Sequence, residues 1–233
     1  MLDTSTPSLA RAYDYLLGGG ASFAADRALA GRMVALYPQA KDLLLASRTY
    51  AAASITAIAR QGVGQYLDVG SGLPTRPSTH ELARSLVPGA HVVYADRDPV
   101  VVEHGAALVP FGVRYVLGDL TEPESLLAHP EISGLIDFSR PVCVVLGLVV
   151  QALDPGTARA VVGVLVRALA PGSYLMVTAG AGEAGRLPDS VWPGGLSAAD
   201  LASFLGGLDL VPPGIITQGD VLCGTGYRAR RHG

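Results

Sequence analysis

Short apolar runs alternating with helical segments constrain this chain more than any other feature of it. Residues 65–69, 91–95, 113–117, 141–148 and 173–178 read as strands, and residues 77–86, 99–108 and 157–169 carry apolar side chains at helical spacing. Strand–helix–strand repeats fold into right-handed crossovers and a parallel sheet covered by helices on both faces. The run 141–148 is apolar throughout, as a central strand buried on both faces requires. Residues 208–211 and 221–227 follow with a Pro212-Pro213-Gly214 turn and no helix between them, which predicts an antiparallel hairpin at the sheet edge.

The first third has a different period. Residues 8–17 read as a helix stopped by Gly18-Gly19-Gly20. A second helix runs from near Ser22 to about Leu36, before Tyr37-Pro38, and a third covers 42–60 and closes at Gly62. With 233 residues, no internal repeat and no linker, the chain suits one domain, since single cores grow to ~250–300 residues. We divide it into a helical portion, 1–62, and a sheet-forming core, 63–233.

Composition excludes several classes. The longest apolar run, 142–150, is far short of the ~18 residues a membrane span needs, and the N-terminus has no secretory pattern; a cytoplasmic protein without a membrane partner is expected. Cys143 and Cys223 lie in apolar runs and read as small buried hydrophobes rather than a disulfide. Five scattered histidines without close Cys/His spacing argue against a metal site. Net charge is −3, and the only basic cluster is Arg228, Arg230 and Arg231, read as a solvated tail; a nucleic-acid partner is not expected. Apolar surface on the N-terminal helices would serve either a substrate mouth or a homodimer.

The chemistry-bearing segment is Leu67-Asp68-Val69-Gly70-Ser71-Gly72-Leu73-Pro74-Thr75. It follows a strand and precedes a helix, where a glycine loop brings its backbone close to a ligand. Dinucleotide-binding loops need a third glycine, and Thr75 occupies that position, which disfavours a nicotinamide dehydrogenase. The next strand ends at Asp96, where a carboxylate can accept both ribose hydroxyl protons; the third ends at Gly118-Asp119-Leu120, placed for an adenine amine. Either acid has a blander reading as a helix cap, which Asp98 is expected to be.

Three stretches resemble a bacterial family of S-adenosylmethionine-dependent methyltransferases first grouped as a domain of unknown function. They are Ala10-Arg11-Ala12-Tyr13-Asp14-Tyr15-Leu16-Leu17-Gly18-Gly19, continuing to Phe23-Ala24-Ala25-Asp26-Arg27; the motif loop with Thr79-His80-Glu81 and Val93-Tyr94-Ala95-Asp96-Arg97-Asp98-Pro99; and Leu169-Ala170-Pro171-Gly172-Ser173-Tyr174-Leu175. The resemblance implies an α/β class I, Rossmann-like fold: a doubly wound seven-stranded sheet with a C-terminal antiparallel hairpin and N-terminal lid helices. It implies S-adenosylmethionine as cofactor, with Asp68, Gly70, Ser71 and Gly72 at its methionine end, Asp96 and Arg97 at the ribose, and Gly118, Asp119 and Leu120 at the adenine. Tyr13, Asp14, Gly18, Gly19 and Leu146 complete the expected cofactor set.

The chain departs from the family where chemistry is concerned. Gly20-Ala21-Ser22 replaces a basic residue and Asp-Asn, Val150-Gln151-Ala152 replaces Leu-His-Phe, and Ser54 replaces a second arginine beyond Arg48. The segment 180–195 reads as glycine- and proline-rich and shortened. Tyr13, His80 and Gln151 are the catalytic candidates, each with a structural alternative. The leading reading is methyl transfer to a small apolar or aromatic molecule. Other chemistry on the same cofactor, or cofactor binding without catalysis, stays open.

Overall fold

The computed structural model describes residues 3–181 and 194–230. Five parallel strands form its centre: β1 (Gln65–Val69), β2 (His91–Asp96), β3 (Val113–Leu117), β4 (Cys143–Gly147) and β5 (Tyr174–Gly180). Two short strands, β6 (Asp209–Leu210) and β7 (Ile216–Gln218), both pair antiparallel with β8 (Val221–Tyr227), which pairs antiparallel with β5. The order is β3-β2-β1-β4-β5-β8-β6, with β7 also on β8. Among the described residues the expected seven strands form the path of the sheet and an eighth, β7, pairs off it on β8; its Ile-Thr-Gln is too short to show a period. Strand order reverses between β1 and β4, so a crevice opens at their carboxyl ends.

Alternate residues along each strand feed two cores, as the pleat demands. Leu67, Val93, Val144, Leu146, Leu175 and Val177 face one side, against α8 (Pro155–Ala168) and α9 (Ala198–Phe204). Tyr66, Val92, Tyr94, Val145 and Met176 face the other, against α3 (Ala40–Arg60), α4 (Thr79–Leu86) and α5 (Pro99–Leu108). Asp154 caps α8 by accepting from Gly156 N and Thr157 N, followed by Pro155 in the first turn, so that helix starts two residues before the apolar period. Asp98 caps α5 as expected, accepting from Val100 N at 2.9 Å. Short helices α6 (Pro123–Leu127) and α7 (Pro130–Ser133) and a 3₁₀ turn at Val150–Ala152 escaped the sequence reading because none spans two helical turns.

Two helices, α1 (Leu9–Leu16) and α2 (Ala24–Leu36), stand over the strand ends. They bury Ala12, Leu29 and Met33 with Leu43 and Leu44 of α3 and Val221 and Cys223 of β8. The C-terminal half of α3, by contrast, packs flat on the sheet through Ile55, Ile58 and Ala59, so only part of residues 1–62 covers the crevice.

A buried cation fixes this cover. Arg11, 2% exposed, donates from Nε to Asp26 at 2.9 Å, from Nη1 to Asp98 at 2.8 Å and from Nη2 to the Thr6 carbonyl at 2.7 Å. Asp26 is fully buried and also accepts from Ser8 N and Phe23 N. Burial alone would raise the Asp26 pKa, but the Arg11 hydrogen bond and the two backbone N–H groups hold it below the usual value.

Cys143 and Cys223 are both buried and free. Arg228 is not part of a solvated tail: its guanidinium donates to the Val166 carbonyl at 2.8 Å, closing the C-terminal end of α8. Arg231, and residues 182–193 of the glycine- and proline-rich segment, lie outside the described residues. No helix among those described is long and apolar enough to cross a membrane.

Removing one partner of a buried pair strands the other charge. Asp26→Asn is therefore expected to lower the unfolding free energy by about 3 kcal/mol in urea titration. A loss below about 1 kcal/mol would show that apolar contacts alone hold α1 and α2.

Candidate functional site

The crevice is a cleft of about 710 Å³. Its floor is the carboxyl ends of the first four strands, and its cover comes from residues 3–17 and the N-terminal half of α3.

The loop after β1 takes its shape from two glycines. Gly70 and Gly72 have φ of 64° and 59°, and a Cβ on Gly70 would overlap Val149. The loop is tied to its neighbours: Gly70 N donates to the Ala95 carbonyl at 2.8 Å, and Tyr115 Oη donates to the Gly72 carbonyl at 3.0 Å. Gly72 N donates to Asp96 Oδ2 at 2.9 Å, while Asp98 N donates to Asp96 Oδ1 at 2.9 Å. Two backbone donors thus orient the Asp96 carboxylate at the lip of β2. Burial nevertheless raises its pKa, the two N–H groups pulling the other way.

At the end of β3, Gly118, Asp119, Leu120 and Thr121 line the cleft. Asp119 is not the cap of α6; its Oδ1 accepts from Thr121 N and Thr121 Oγ1, both at 2.8 Å, in a local turn that presents the carboxylate. Arg97 lines the same end and is exposed.

Asp68 ends β1 deeper in the cleft, where Thr79 Oγ1 donates to it at 2.7 Å. Burial pushes its pKa up to about 7, against the pull of the Thr79 hydroxyl and the Arg48 charge, with Asp96 adding to the rise. Arg48 comes down from α3 and donates to the Thr75 hydroxyl, the Thr75 carbonyl (2.8 Å) and the Pro77 carbonyl (3.3 Å). On the opposite wall Leu148, just past β4, holds a φ of 55°, unusual for a branched side chain and characteristic of residues constrained at a site. Its N–H donates to the Thr178 carbonyl at 3.0 Å, which fixes that backbone.

Ala10, Tyr13 and Asp14 of α1, with Leu17 at its C-cap, line the cleft at steps of three and four residues. A Cβ on Gly72 would lie 3.7 Å from that of Ala10, so the helix passes directly above the motif loop. Asp14 accepts from Ala21 N at 3.2 Å, and burial raises its pKa. Burial also pushes the Tyr13 phenol upward.

The structure brings Tyr13, Asp14, Asp68, Gly70, Ser71, Gly72, Asp96, Arg97, Gly118, Asp119 and Leu120 together around this cleft. Other expected residues lie elsewhere. Leu146 points into the core beneath the sheet, because its neighbours Val145 and Gly147 take the cleft-facing positions of the pleat. Gly18 and Gly19 do not line the cleft; Gly19 packs against the Asp14 carboxylate, where a Cβ would overlap it, and its N–H donates to the Asp14 carbonyl at 2.8 Å. His80, in the first turn of α4, is buried, its Nδ1 2.9 Å from Tyr94 Oη. Gln151 is 2% exposed and turned toward β5, its Oε1 accepting from Gly180 N. Neither side chain lines the cleft.

Arg48, Thr79 and Leu148 were not singled out for the site by sequence. The sequence carried two signals, Arg48 retained where the family has an arginine and Thr79 within the family string Thr79-His80-Glu81, but neither was assigned to the site. Among the described residues no three His, Cys, Asp or Glu side chains gather as they would around a metal ion.

Comparison with known proteins agrees with the fold. A crystal structure of a Thermobifida fusca YX protein inferred to be a methyltransferase superposes with a TM-score of 0.91 at 34% identity, over 98% of this chain and 97% of that one. A DUF574 family protein from Streptomyces avermitilis MA-4680 gives 0.88 at 29% identity, over 98% and 100%. The N-methyltransferase NodS of Bradyrhizobium japonicum WM9, in complex with S-adenosyl-L-homocysteine, shares the fold at 13% identity and a TM-score of 0.54, over 79% and 88%. No curated protein matched in sequence. The S-adenosyl methyltransferase family model matches residues 1–222, and the chain belongs to that family, with S-adenosylmethionine as its cofactor.

Proposed function

We propose that the enzyme transfers the methyl group of S-adenosylmethionine to a small apolar or aromatic molecule held beneath α1 and α2. The observation that carries this reading is a covered cleft whose polar strand ends give way to apolar walls of Leu17, Leu29, Leu44, Leu148, Val149 and Leu153. Its volume of about 710 Å³ lies within the ~300–1,000 Å³ of small-molecule sites. A net charge of −3 and the cover itself speak against a nucleic-acid acceptor.

Within that reading Asp119 and Leu120 face the adenine, Asp96 accepts from the ribose hydroxyls, and the loop of residues 68–72 runs beside the methionine end with Asp68 toward its ammonium. Bound there, the cofactor supplies a methyl group already activated on a sulfonium, so alignment provides most of the acceleration. The chain's own contribution is to orient both partners and exclude water, with α1 closing over Gly72. His80 and Gln151, catalytic candidates by sequence, are buried and hydrogen-bonded to Tyr94 and Gly180, and support that work through packing.

The direct test is incubation of the protein with methyl-labelled cofactor and a panel of small apolar and aromatic nucleophiles. Label is expected in a small product, with S-adenosylhomocysteine formed in equal amount; label confined to nucleic acid or protein would overturn the acceptor class. Calorimetry with Asp96→Ala is expected to show S-adenosylhomocysteine bound roughly 10–150-fold more weakly, the value of a charge-assisted hydrogen bond. Unchanged affinity would remove Asp96 from the ribose. Asp68 must be ionised to pair with the ammonium, and its pKa stands at about 7. Affinity for S-adenosylhomocysteine should therefore rise as pH increases from about 6 to about 7.5, and Asp68→Asn should abolish that rise.

A further inference from the structure

The acids Asp96 and Asp119 stand at the ends of β2 and β3, on one side of β1; β4 and β5 lie on the other side. There α3 packs against both strands, and its Ser47 lines the cleft while only 4% exposed. Ser47 Oγ sits 2.7 Å from Oγ1 of Thr178, the residue of β5 that pairs with Gly147 of β4. Thr178 is fully buried and does not line the cleft. Its hydroxyl has two partners among the described residues, Ser47 Oγ and, at 3.2 Å, Leu148 N. An amide N–H only donates, so the Thr178 proton has one acceptor, Ser47 Oγ. The chain of hydrogen bonds therefore runs from Leu148 N through Thr178 to Ser47, and the Ser47 proton stands at its end. That proton has no acceptor among the described residues. Thr49 and Thr56 on the same helix donate to carbonyls four residues back, at 2.8 and 2.7 Å; Ser47 makes no such bond.

A buried donor without an acceptor costs the desolvation of that group, and a ligand oxygen removes the cost. Leu44, Leu148, Val149 and Leu153 line the same cleft, and a hydroxyl among apolar walls fixes the orientation of what binds there. We propose that Ser47 donates a hydrogen bond to a carbonyl oxygen of the methyl acceptor. The acceptor is then a small apolar or aromatic carbonyl compound, held with that oxygen toward β5. This rests on the acceptor class proposed above and narrows it. The donor is fixed from behind: Thr178 occupies one lone pair of Ser47, and Leu148 N, which also donates to the Thr178 carbonyl at 3.0 Å, holds Thr178 in turn. The left-handed backbone of Leu148, with its φ of 55°, thus places the N–H that starts the chain.

The test is calorimetry of the protein saturated with S-adenosylhomocysteine and titrated with the hydroxyacetophenone isomers and the matching ethylphenol isomers. The members of each pair share a ring, a hydroxyl and nearly the same size, and differ in the carbonyl oxygen. In the wild type at least one hydroxyacetophenone is expected to bind roughly 3–12-fold more tightly than its ethylphenol partner, the value of one neutral hydrogen bond. Ser47→Ala should bind that ketone no better than the ethylphenol, while its affinities for the ethylphenol and for S-adenosylhomocysteine stay within about twofold of the wild type. A wild type that binds both members of every pair equally overturns the anchor and leaves the acceptor class standing; that arm needs no variant to fold. An unchanged preference in Ser47→Ala also overturns it, since Ser47 would then only tie α3 to β5. So does weaker binding of S-adenosylhomocysteine by Ser47→Ala, which would assign the hydroxyl to the cofactor. Saturated protein that binds no compound of either series overturns the acceptor class itself, and the anchor with it.

Discussion

The buried guanidinium of Arg11 is the contact on which the geometry of the cleft depends. It joins α1 to α2 through Asp26 and to the start of α5 through Asp98, so one side chain fixes the cover to the sheet. Asp98 is two residues beyond Asp96, and its N–H also holds the Asp96 carboxylate. The cover and the carboxylate of Asp96 therefore share a single hydrogen-bonded corner. A charge so deeply buried is tolerated only when every donor finds an acceptor. Two carboxylates and a carbonyl each take one hydrogen bond from a different nitrogen of Arg11, and the two carboxylates balance its charge.

From that corner the order passes along the loop. Asp96 accepts from Gly72 N, Gly72 lies beneath Ala10, and Gly70 is held against Val149 beyond β4. The loop is thus set by neighbours on three sides before any ligand arrives. Such preorganisation matters for a reaction whose electrophile is already activated, because placement of the partners is most of what the protein has to supply. Burial of His80 and Gln151 is compatible with such a reaction, which requires a base only where the acceptor must lose a proton.

The acidic strand ends divide by environment. Asp119 is exposed to its own turn and accepts local hydrogen bonds, Asp96 is fixed by backbone donors, and Asp68 is the one pushed to about 7 by burial. Position along the same edge of one sheet therefore gives three carboxylates three different sets of hydrogen-bond partners.

The sheet was legible in the sequence because parallel strands buried on both faces must be apolar, and β1, β3, β8 and α5 fall within the bounds their periodicity gives. The strand-end residues Asp68, Gly70, Gly72, Asp96 and Asp119 were legible for a related reason: a doubly wound sheet brings successive strand ends to one crevice whatever the rest of the chain does. Which side chains enter that crevice was decided by tertiary packing. Leu146 and Val145 are neighbours in an apolar run, and only the register of β4 turns one to the core and leaves the other at the cleft. His80 and Gln151 are polar residues near the right loops, yet Tyr94 and Gly180 draw them inward. Arg48 is more than twenty residues from Thr75 in sequence and reaches it because α3 lies flat across the sheet. Periodicity records which face of an element is buried; contacts between distant elements depend on helix placement, which no local pattern encodes.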